Sequence, residues 1–332
     1  MKVLVTSKSF GRHAPEALRL LEAHRIEIAW TPKASPTAAE IAAQVPGFDA
    51  LVVGNDTVDA AVFAAGDRLR LVHMHGTGLD GIDVRAASAR GVLVANAPGA
   101  NRNAVAELTV ALMLVVARGV DRHLDIVKAG AWERRAGREV SGKTVGILGL
   151  GNIGRRIIEL LAGFGVRVVA YEPRPDMAWV ASHGVRLAAA AEEVFAAADF
   201  LVLALPLNEE TRHLVDARRI RLMKRDAFLV NTARGGLVDE AALAAAVRQG
   251  RLAGAALDAF SQEPLPGDSV VRVPGIVLTP HLAATSVETA AAVSSIVARN
   301  LVDVLVHGDV RCAVNAADVS GAHRRVAGPL GQ

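Results

Sequence analysis

The sequence predicts an α/β protein of two doubly wound parallel-sheet domains, of the Rossmann or flavodoxin type, with a cleft between them. Three observations predict this fold class. The chain has 332 residues, about twice the usual length of one domain. Short β-branched runs alternate with Ala-rich segments, as in parallel sheets flanked by helices. The alternation starts afresh near residues 141–143, which indicates a second sheet.

The composition favours a folded, cytoplasmic protein. Hydrophobic residues make up 52% of the chain and charged residues 21%, which excludes general disorder. The net charge of +3 is spread along the chain, so no nucleic-acid partner is expected. The single cysteine, Cys312, cannot form an internal disulfide, and the first residues lack the apolar core of a signal peptide. The most apolar stretch, residues 108–117, is too short to span a bilayer, so no membrane partner is expected.

The elements of the first domain follow one another in a simple order. Strands are predicted at residues 3–6, 26–29, 51–53, 71–74 and 92–95. A helix is predicted at 101–118, because apolar residues recur there at helical spacing. These residues are Val105, Leu108, Leu112 and Val116. The helix should lead out of the first domain.

The second series of elements is longer than the first. Its strands are predicted at residues 144–148, 167–170, 200–203, 228–230, 253–256 and 276–278. A final helix at 286–306 follows all of them, whereas the first series lacks a closing helix. We therefore expect a discontinuous first domain, 1–98 with 285–332, and a second domain at 99–284. Residues 321–332 are small and polar and should form a loose tail.

A glycine-rich motif follows the first strand of the second series. It reads Gly-Leu-Gly-Asn-Ile-Gly at 149–154 and opens a predicted helix. Such glycines allow a tight turn, close approach of the backbone to a pyrophosphate, and close packing of the helix on the strand. Because a second strand follows the helix, the whole unit predicts a dinucleotide-binding site. Its contacts are predicted at Gly149, Gly151, Asn152, Ile153 and Gly154.

An acidic residue at the end of the next strand indicates which dinucleotide binds. Glu172 lies about 20 residues beyond Gly151, where an acid can accept from the ribose 2′-hydroxyl. A carboxylate there repels a 2′-phosphate, which favours NAD over NADP. Arg174 could instead pair with that phosphate, so NADP stays open as the less favoured cofactor.

Three polar segments follow strands of the second series, at 231–236, 258–264 and 279–284. The carboxyl ends of parallel strands meet at one edge of a sheet, so these segments should converge. Together they hold an arginine, an acid and a histidine. Chemistry on a 2-hydroxy acid needs an arginine to grip the carboxylate, a histidine to move the hydroxyl proton, and a carboxylate to orient that histidine. Taken singly, each residue more often has a structural role. An Arg-Gly pair is usually a turn with a solvated charge, Glu-Pro is usually a loop, and a lone histidine after proline is usually hydrogen-bonded within the protein.

These segments, with those at 76–80, 96–99 and 106–109, resemble the D-isomer-specific 2-hydroxyacid dehydrogenases, the family of phosphoglycerate, glycerate and D-lactate dehydrogenases. The resemblance covers nearly the whole chain. It implies reversible hydride transfer with NAD, in which Arg234 binds the substrate, His281 is the general acid and base, and Glu263 is the partner of His281. It also implies a homodimer that packs through residues 101–130.

The resemblance further implies which residues surround the ligands. Those at the cofactor are Thr77, Pro206, Thr232, Ala233, Asp258 and His281. The residues at the small anionic 2-hydroxy or 2-oxo acid are predicted instead from the loops at the strand ends of the first domain, and they are Asn55, His75, Gly76, Thr77 and Gly78, beside Arg234 and His281. The backbone N–H groups of 76–78 could cradle a carboxylate.

The substrate itself stays open at this stage. Related phosphoglycerate dehydrogenases carry arginines where this chain has Gly54 and Met74, which puts 3-phosphoglycerate in doubt. Lys8 and Arg12, with a histidine pair at 73 and 75, could still favour a second anionic group. The alternative is a solvated basic loop with two satisfied histidines. No metal is expected, since that pair lacks a third ligand.

Two other enzyme branches of the family, and one class of binding module that resembles it, are weighed against this interpretation. Formate dehydrogenases of similar fold place Gln where Glu263 stands, which argues against that reaction. Phosphite-oxidising relatives keep the same arginine, glutamate and histidine, so a phosphite- or phosphonate-type dehydrogenase stays possible. The corepressors that resemble this family act mainly as nucleotide-sensing binding modules, and catalytic turnover would distinguish them.

Overall fold

The computed structural model describes residues 1–319, and the loose tail predicted at 321–332 lies outside them. The chain divides into two compact units. Unit 1 is made of two segments, Met1–Asn101 and a second one that starts at Thr285. Unit 2 comprises Arg102–Ala284, between them in the sequence. The sequence predicts domain boundaries after residues 98 and 284, whereas the first unit here extends to Asn101.

The first part of unit 1 alternates strands and helices. Its strands are β1 (Lys2–Val5), β2 (Glu27–Trp30), β3 (Ala50–Val53), β4 (Leu71–Met74) and β5 (Leu93–Ala95), and its helices are α1 (Pro15–Ala23), α2 (Ala38–Gln44), α3 (Ala60–Ala65) and α4 (Val84–Ala89). All pairings are parallel, in the order β2-β1-β3-β4-β5. This flavodoxin-like order reverses direction at the β1/β3 pair, and ligands bind beyond the carboxyl ends of strands at such a point.

Unit 2 forms a larger parallel sheet. Its strands are β6 (Thr144–Leu148), β7 (Arg167–Tyr171), β8 (Arg186–Leu187), β9 (Phe200–Leu203), β10 (Phe228–Asn231), β11 (Gly254–Leu257) and β12 (Ile276–Leu278). Its helices are α5 (Arg102–Arg118), α6 (Val120–Lys128), α7 (Asn152–Leu161), α8 (Met177–Ser182), α9 (Ala191–Ala197), α10 (Ala217–Ile220) and α11 (Glu240–Arg248). The strand order is β12-β11-β10-β9-β6-β7-β8, so the sheet reverses direction at the β6/β9 pair, as in a Rossmann fold.

The strands form because their apolar residues can be buried on both faces of a sheet. Every residue of β3, β6, β9 and β10 is buried, as is typical of parallel strands covered by helices. The predicted fold class is confirmed, and all eleven predicted strands lie within one residue of their predicted ends. Strand β8 was not predicted, because its two residues at a sheet edge give no periodic pattern.

The last helix, α12 (Val287–Val302), belongs to unit 1 and packs against α1. Ser286 caps its first turn by accepting from the Thr289 N–H at 3.0 Å. A π-helical turn, Asp303–His307, ends it. There the buried Arg70 guanidinium donates to the carbonyls of Val304 and Leu305, each at 3.3 Å, and so satisfies carbonyls that a helix end leaves unpaired.

Length and composition alone would allow one helical run, Val287–His307, to cross a membrane. Half of its apolar window is buried within the protein, as in the core helix of a globular domain. The pair α5 and α6 passes the same test only if its 65° bend is counted as a break within one span. These features are weak indications of a membrane span.

Candidate active site and dinucleotide-binding loop

The glycine loop after β6 has the shape that a pyrophosphate requires. Gly149 has φ +97°, and a Cβ there would lie 2.4 Å from the carbonyl oxygen of Ala204. A Cβ on Gly154 would lie 2.1 Å from the Gly149 oxygen. Helix α7 can therefore pack on this turn only because residue 154 has no side chain. By contrast, no atom lies within 4 Å of the Cβ position of Gly151. Its backbone is therefore open to a ligand.

The start of α7 supplies donors for that ligand. Gly151 is the N-cap of the helix, and no side chain caps its first turn. The N–H groups at a helix N-terminus attract phosphate oxygens through hydrogen bonding and the helix dipole. The backbone of Gly151, Asn152 and Ile153 thus fits the pyrophosphate of a dinucleotide.

Glu172 lies at the end of β7 and contacts this loop directly. Its Oε2 accepts from the Leu150 N–H at 3.0 Å, and its Oε1 accepts from the Arg174 N–H at 3.2 Å. The carboxylate is thus fixed beside the glycine loop, as the predicted ribose contact requires. Arg174 is exposed.

Arg155 bonds to the other main-chain group of Leu150, its carbonyl, and this contact was not predicted from the sequence. Its Nε donates to the Leu150 carbonyl at 2.9 Å. The guanidinium also pairs with Asp176, Nη1 to Oδ2 at 3.1 Å, and lies 5.0 Å from the centre of the Trp179 ring. The arginine directly follows the third glycine, and that position was the only available signal of its role.

The predicted histidine and its acid form a close pair. Nδ1 of His281 lies 2.6 Å from Oε2 of Glu263, and Oε1 of Glu263 accepts from the Phe260 N–H at 2.9 Å. The side chains are 38% and 33% exposed, so a ligand can reach them. Because Nδ1–H donates to the carboxylate, Nε2 is the ring nitrogen that can exchange a proton with a ligand.

Asp258 fixes the loop that carries the histidine. It is fully buried and accepts from the Thr279 hydroxyl at 2.7 Å and from the N–H groups of Leu282 and Ala283, both at 2.9 Å. These contacts lie on both sides of His281, whose φ of +51° is unusual for a residue with a side chain. In this structure the Asp258 carboxylate, which the resemblance implied at the cofactor, is bonded to the histidine loop.

The loop of Arg234 lies directly against the acidic segment. The side chain of Asn231 accepts from the Ala233 N–H at 3.0 Å and donates to the Arg234 carbonyl at 2.9 Å, which shapes the turn. A Cβ on Gly235 would lie 1.8 Å from the carbonyl carbon of Phe260, so the two backbones touch. The structure thus brings the loops of Arg234, Glu263 and His281 together within unit 2. The Arg234 guanidinium donates from Nη1 to the Ala233 carbonyl at 2.8 Å.

Three other predicted cofactor residues of unit 2 follow β9 and β10. The Thr232 hydroxyl lies 2.7 Å from that of Thr109 on α5, and the Pro206 carbonyl accepts from the Thr211 hydroxyl at 2.8 Å. Ala233 lies within the Arg234 turn.

The remaining predicted residues lie in unit 1. The loop at 76–78 is held by its carbonyls, since Gly76 O accepts from the Ala97 N–H at 2.8 Å and Thr77 O from the Asn96 side chain at 2.6 Å. Gly78 is partly buried and Asn55 exposed. Of the two predicted cations, Arg12 is exposed, whereas the Lys8 ammonium donates to the Thr31 carbonyl.

Two histidines at the end of β4 are neutral near pH 7. Burial lowers the pKa of His73 to about 4 and that of His75 to about 4. The pair therefore adds no positive charge for a second anionic group. Within residues 1–319, no group of three or more His, Cys, Asp or Glu side chains could hold a metal ion.

Comparison with known proteins supports the family resemblance. Residues 110–283 match the family described as D-isomer specific 2-hydroxyacid dehydrogenase, NAD binding domain. The chain is 36% identical over 309 residues to the D-3-phosphoglycerate dehydrogenase of Methanocaldococcus jannaschii, with 92% of this chain and 57% of that protein covered. It is 37% identical over 300 residues to the glyoxylate reductase of Korarchaeum cryptofilum, with 88% of this chain and 90% of that protein covered.

A solved structure shows the same fold over nearly the whole chain. The crystal structure of the TT0316 protein from Thermus thermophilus is 33% identical, with a TM-score of 0.85, and covers 95% of this chain and 100% of that one. The chain spans little more than half the length of the phosphoglycerate dehydrogenase that it matches. On the matched residues and these identities, the chain belongs to the D-isomer-specific 2-hydroxyacid dehydrogenase family.

Proposed function

We propose that this protein is an NAD-dependent D-2-hydroxyacid dehydrogenase that interconverts a small 2-hydroxy acid and its 2-oxo acid. One observation carries the proposal: the 2.6 Å contact of His281 with Glu263, on the unit whose glycine loop fits a dinucleotide. Such a pair supplies a general acid and base whose tautomer is fixed. The names of the two curated relatives point to different acids, so they leave the substrate open.

The side chains divide the work of the reaction. NAD(H), when bound, accepts or supplies the hydride at C2 of the acid. In the reductive direction, the Arg234 guanidinium binds the substrate carboxylate and polarises the neighbouring carbonyl. The His281 imidazolium then gives its Nε2 proton to the carbonyl oxygen, while Glu263 stabilises the positive ring from Nδ1. In the oxidative direction Nε2 takes the hydroxyl proton.

The ligand contacts are part of the same proposal. The dinucleotide is held by Thr77, Gly149, Gly151, Asn152, Ile153, Gly154, Glu172, Pro206, Thr232, Ala233 and His281, with NAD favoured over NADP. The Asp258 carboxylate acts instead through the histidine loop, to which it is bonded. The acid is held by Asn55, His75, Gly76, Thr77 and Gly78 in addition to Arg234 and His281. The phosphite-type reaction and the nucleotide-sensing role remain the alternatives.

The experiment is a nicotinamide absorbance assay with a panel of 2-oxo acids. We expect turnover by the wild-type protein and a loss of about 10² to 10⁴ in kcat for His281→Ala, the usual worth of general acid–base catalysis. NADH binding, followed by its fluorescence, should persist. His307→Ala is the control, since His307 is an exposed residue at the end of the π-helical turn that follows α12. Full turnover by His281→Ala would refute the assignment.

We also propose that the protein is a cytoplasmic homodimer. On and after α6, Leu124 and Val127 are each 53% exposed and Trp132 is 80% exposed, although all three are apolar. Leu124 and Val127 are three positions apart and so share one face of α6, and exposed apolar residues on one face are typical of an interaction surface. Sedimentation should show a dimer, and Leu124→Glu should shift it to a monomer. A monomeric wild-type protein would contradict the proposal.

A further inference from the structure

The glutamate that pairs with His281 lies on an exposed stretch, residues 260–264, which we call the Glu263 segment. Residues 261–264 of this segment are all exposed. Within residues 1–319, the peptide groups of 260–264 take part in no backbone–backbone hydrogen bond. The Phe260 N–H donates to Oε1 of Glu263 at 2.9 Å, but this contact lies within the segment. Regular secondary structure therefore does not fix the direction in which Glu263 points.

Glu240, the first residue of α11, bonds to the Glu263 segment from outside it. Its Oε1 accepts from the Ser261 N–H at 2.7 Å. The N–H groups of Phe260 and Ser261 therefore bind two different carboxylates. Because a peptide group is planar, the bond to the Ser261 N–H also fixes the direction of the Phe260 carbonyl. The backbone just before Glu263 is thus oriented by Glu240.

The same peptide group is packed against the loop of Arg234. A Cβ on Gly235 would lie 1.8 Å from the carbonyl carbon of Phe260 and 2.3 Å from the nitrogen of Ser261. No side chain fits between the two backbones, so this peptide lies directly on the main chain of Gly235. The chain runs from Arg234 through that glycine and a 3₁₀ turn to Glu240. One short stretch therefore carries the proposed substrate arginine and these two contacts to the Glu263 segment.

Helix α11 holds Glu240 in place. Asp239, the residue before it, caps the helix by accepting from the Ala242 N–H at 3.0 Å, and its own N–H donates to the Val215 carbonyl at 3.0 Å. Leu243 on the same helix is fully buried. A carboxylate in the first turn is also favoured by the helix dipole. Glu240 therefore extends from a helix start that is fixed by its own contacts.

We propose that Glu240 is a positioning residue that orients Glu263 toward Nδ1 of His281. The inference rests on the proposed function and assigns a further residue to it. Glu240 acts through the peptide between Phe260 and Ser261 and not on the reacting atoms. When its bond to that peptide is lost, the exposed segment can shift, and the carboxylate of Glu263 leaves its place at Nδ1. The imidazole ring is then no longer held in the direction that proton transfer requires, and small displacements of this kind are costly to the rate.

Steady-state kinetics with NADH and the 2-oxo acid that the wild-type protein uses best provides the first test. We expect Glu240→Ala to lower kcat about tenfold, while KM for the acid and the Kd of NADH change less than about twofold. Glu240→Gln keeps an oxygen that can accept from the Ser261 N–H, so its kcat should stay within about threefold of the wild-type value. Glu240→Asp keeps the charge but shortens the side chain, so it should be nearly as slow as the alanine variant. Urea unfolding of every variant checks that the rates are those of folded protein.

A double-mutant cycle tests whether Glu240 acts through Glu263. Glu263→Ala removes the carboxylate that Glu240 is proposed to orient, so its kcat should fall on its own. Adding Glu240→Ala to that variant should change kcat no further, because the effects of residues that act as a unit are strongly non-additive. A merely structural glutamate would lower kcat by the same factor in both backgrounds. Losses that multiply would therefore overturn the inference.

The matched control is Glu193→Ala. Glu193 also lies in the first turn of a helix, α9, and accepts from a backbone N–H, that of Ala189, at 3.2 Å. Its removal should leave kcat unchanged. A wild-type rate in Glu240→Ala, or a glutamine variant as slow as the alanine variant, would overturn the inference alone. Absence of turnover by the wild-type protein with every acid would overturn the proposed function and this inference with it.

Discussion

Thr279 donates its hydroxyl proton to the buried carboxylate of Asp258 at 2.7 Å, two residues before His281. The same carboxylate accepts from the backbone directly after that histidine. The left-handed backbone of His281 is thus held from both sides. Backbone in this region costs free energy and persists only where the surroundings determine it, so we assign Asp258 and Thr279 as positioning residues.

Removal of the Thr279 hydroxyl should therefore displace the His281 side chain and lower activity, although Thr279 itself does not contact the substrate. We expect Thr279→Val to lower kcat about tenfold, because small displacements of an acid–base group are costly to the rate. Thr279→Ser should restore most of the activity, since it keeps the hydroxyl. Steady-state kinetics of both variants provides the measurement, with NADH affinity expected to change little. Equal rates for the valine and serine variants would contradict the assignment.

The carboxylate of Glu172 should set the choice of coenzyme. We expect a lower KM for NADH than for NADPH, because a carboxylate beside the ribose repels a 2′-phosphate. Glu172→Ala should narrow that preference about tenfold or more, the scale of a hydrogen bond to a charged group. Glu159→Ala is the control, since Glu159 pairs with Arg156 at the surface. A wild-type protein that uses NADPH better would refute the prediction.

Arg155 and its neighbour Arg156 offer a matched comparison on the first turns of α7. Arg155 bonds to the glycine loop, whereas Arg156 pairs with Glu159. We expect Arg155→Met to raise the Kd of NADH about tenfold, because the Leu150 carbonyl loses its donor and the loop loosens. Arg156→Met should bind NADH like the wild-type protein. Fluorescence titration of NADH measures both, and identical constants would show that Arg155 does not position the loop.

The buried His73 should make the protein less stable in mild acid. Its Nδ1 lies 2.9 Å from the Met74 carbonyl, its Nε2 lies 2.9 Å from the Asn300 amide, and burial lowers its pKa from 6.5 to about 4. As pH falls from 6.5 to 4, the unfolded chain therefore binds a proton that the native state does not. The free energy of unfolding should fall across that window by about 3 kcal/mol for this residue, and it should not depend on His73 above pH 6.5.

Urea unfolding at several pH values tests this expectation. His73→Gln removes the titrating ring, so its stability should decline less than that of the wild-type protein between pH 6.5 and 4. His75 also lowers the free energy of unfolding as pH falls, and this contribution remains in the variant. Parallel pH profiles for the two proteins would show that His73 does not cause the decline.

Local sequence patterns were sufficient to predict most of the fold. Runs such as Leu-Val-Val at 51–53 can be buried only within a covered sheet, and strand β3 lies there. The glycine motif at 149–154 was also predictable from local sequence, because the spacing of its glycines is set by the geometry of one tight turn. The edge strand β8 was too short to give such a pattern.

The contacts within the site could be predicted only in part. Residue types indicated Arg234, Glu263 and His281, but not that Gly235 lets the Arg234 loop touch the backbone at Phe260. The hydrogen bonds from the N–H groups of Leu282 and Ala283 to Asp258 join residues that are 24 and 25 positions apart in the sequence. No sequence period records such a pairing, because it depends on which strand ends become neighbours in the sheet.

The sequence by itself determined the alternation of strands and helices, the dinucleotide loop and the residue types that the chemistry needs, because these follow from local conformation and side-chain chemistry. Only the tertiary structure decided how those residues are used. It made His75 neutral by burying it, and it directed the Lys8 ammonium to a backbone carbonyl. Burial and hydrogen-bond partners depend on segments far apart in the chain, so charge and selectivity emerge only when the sheets have formed.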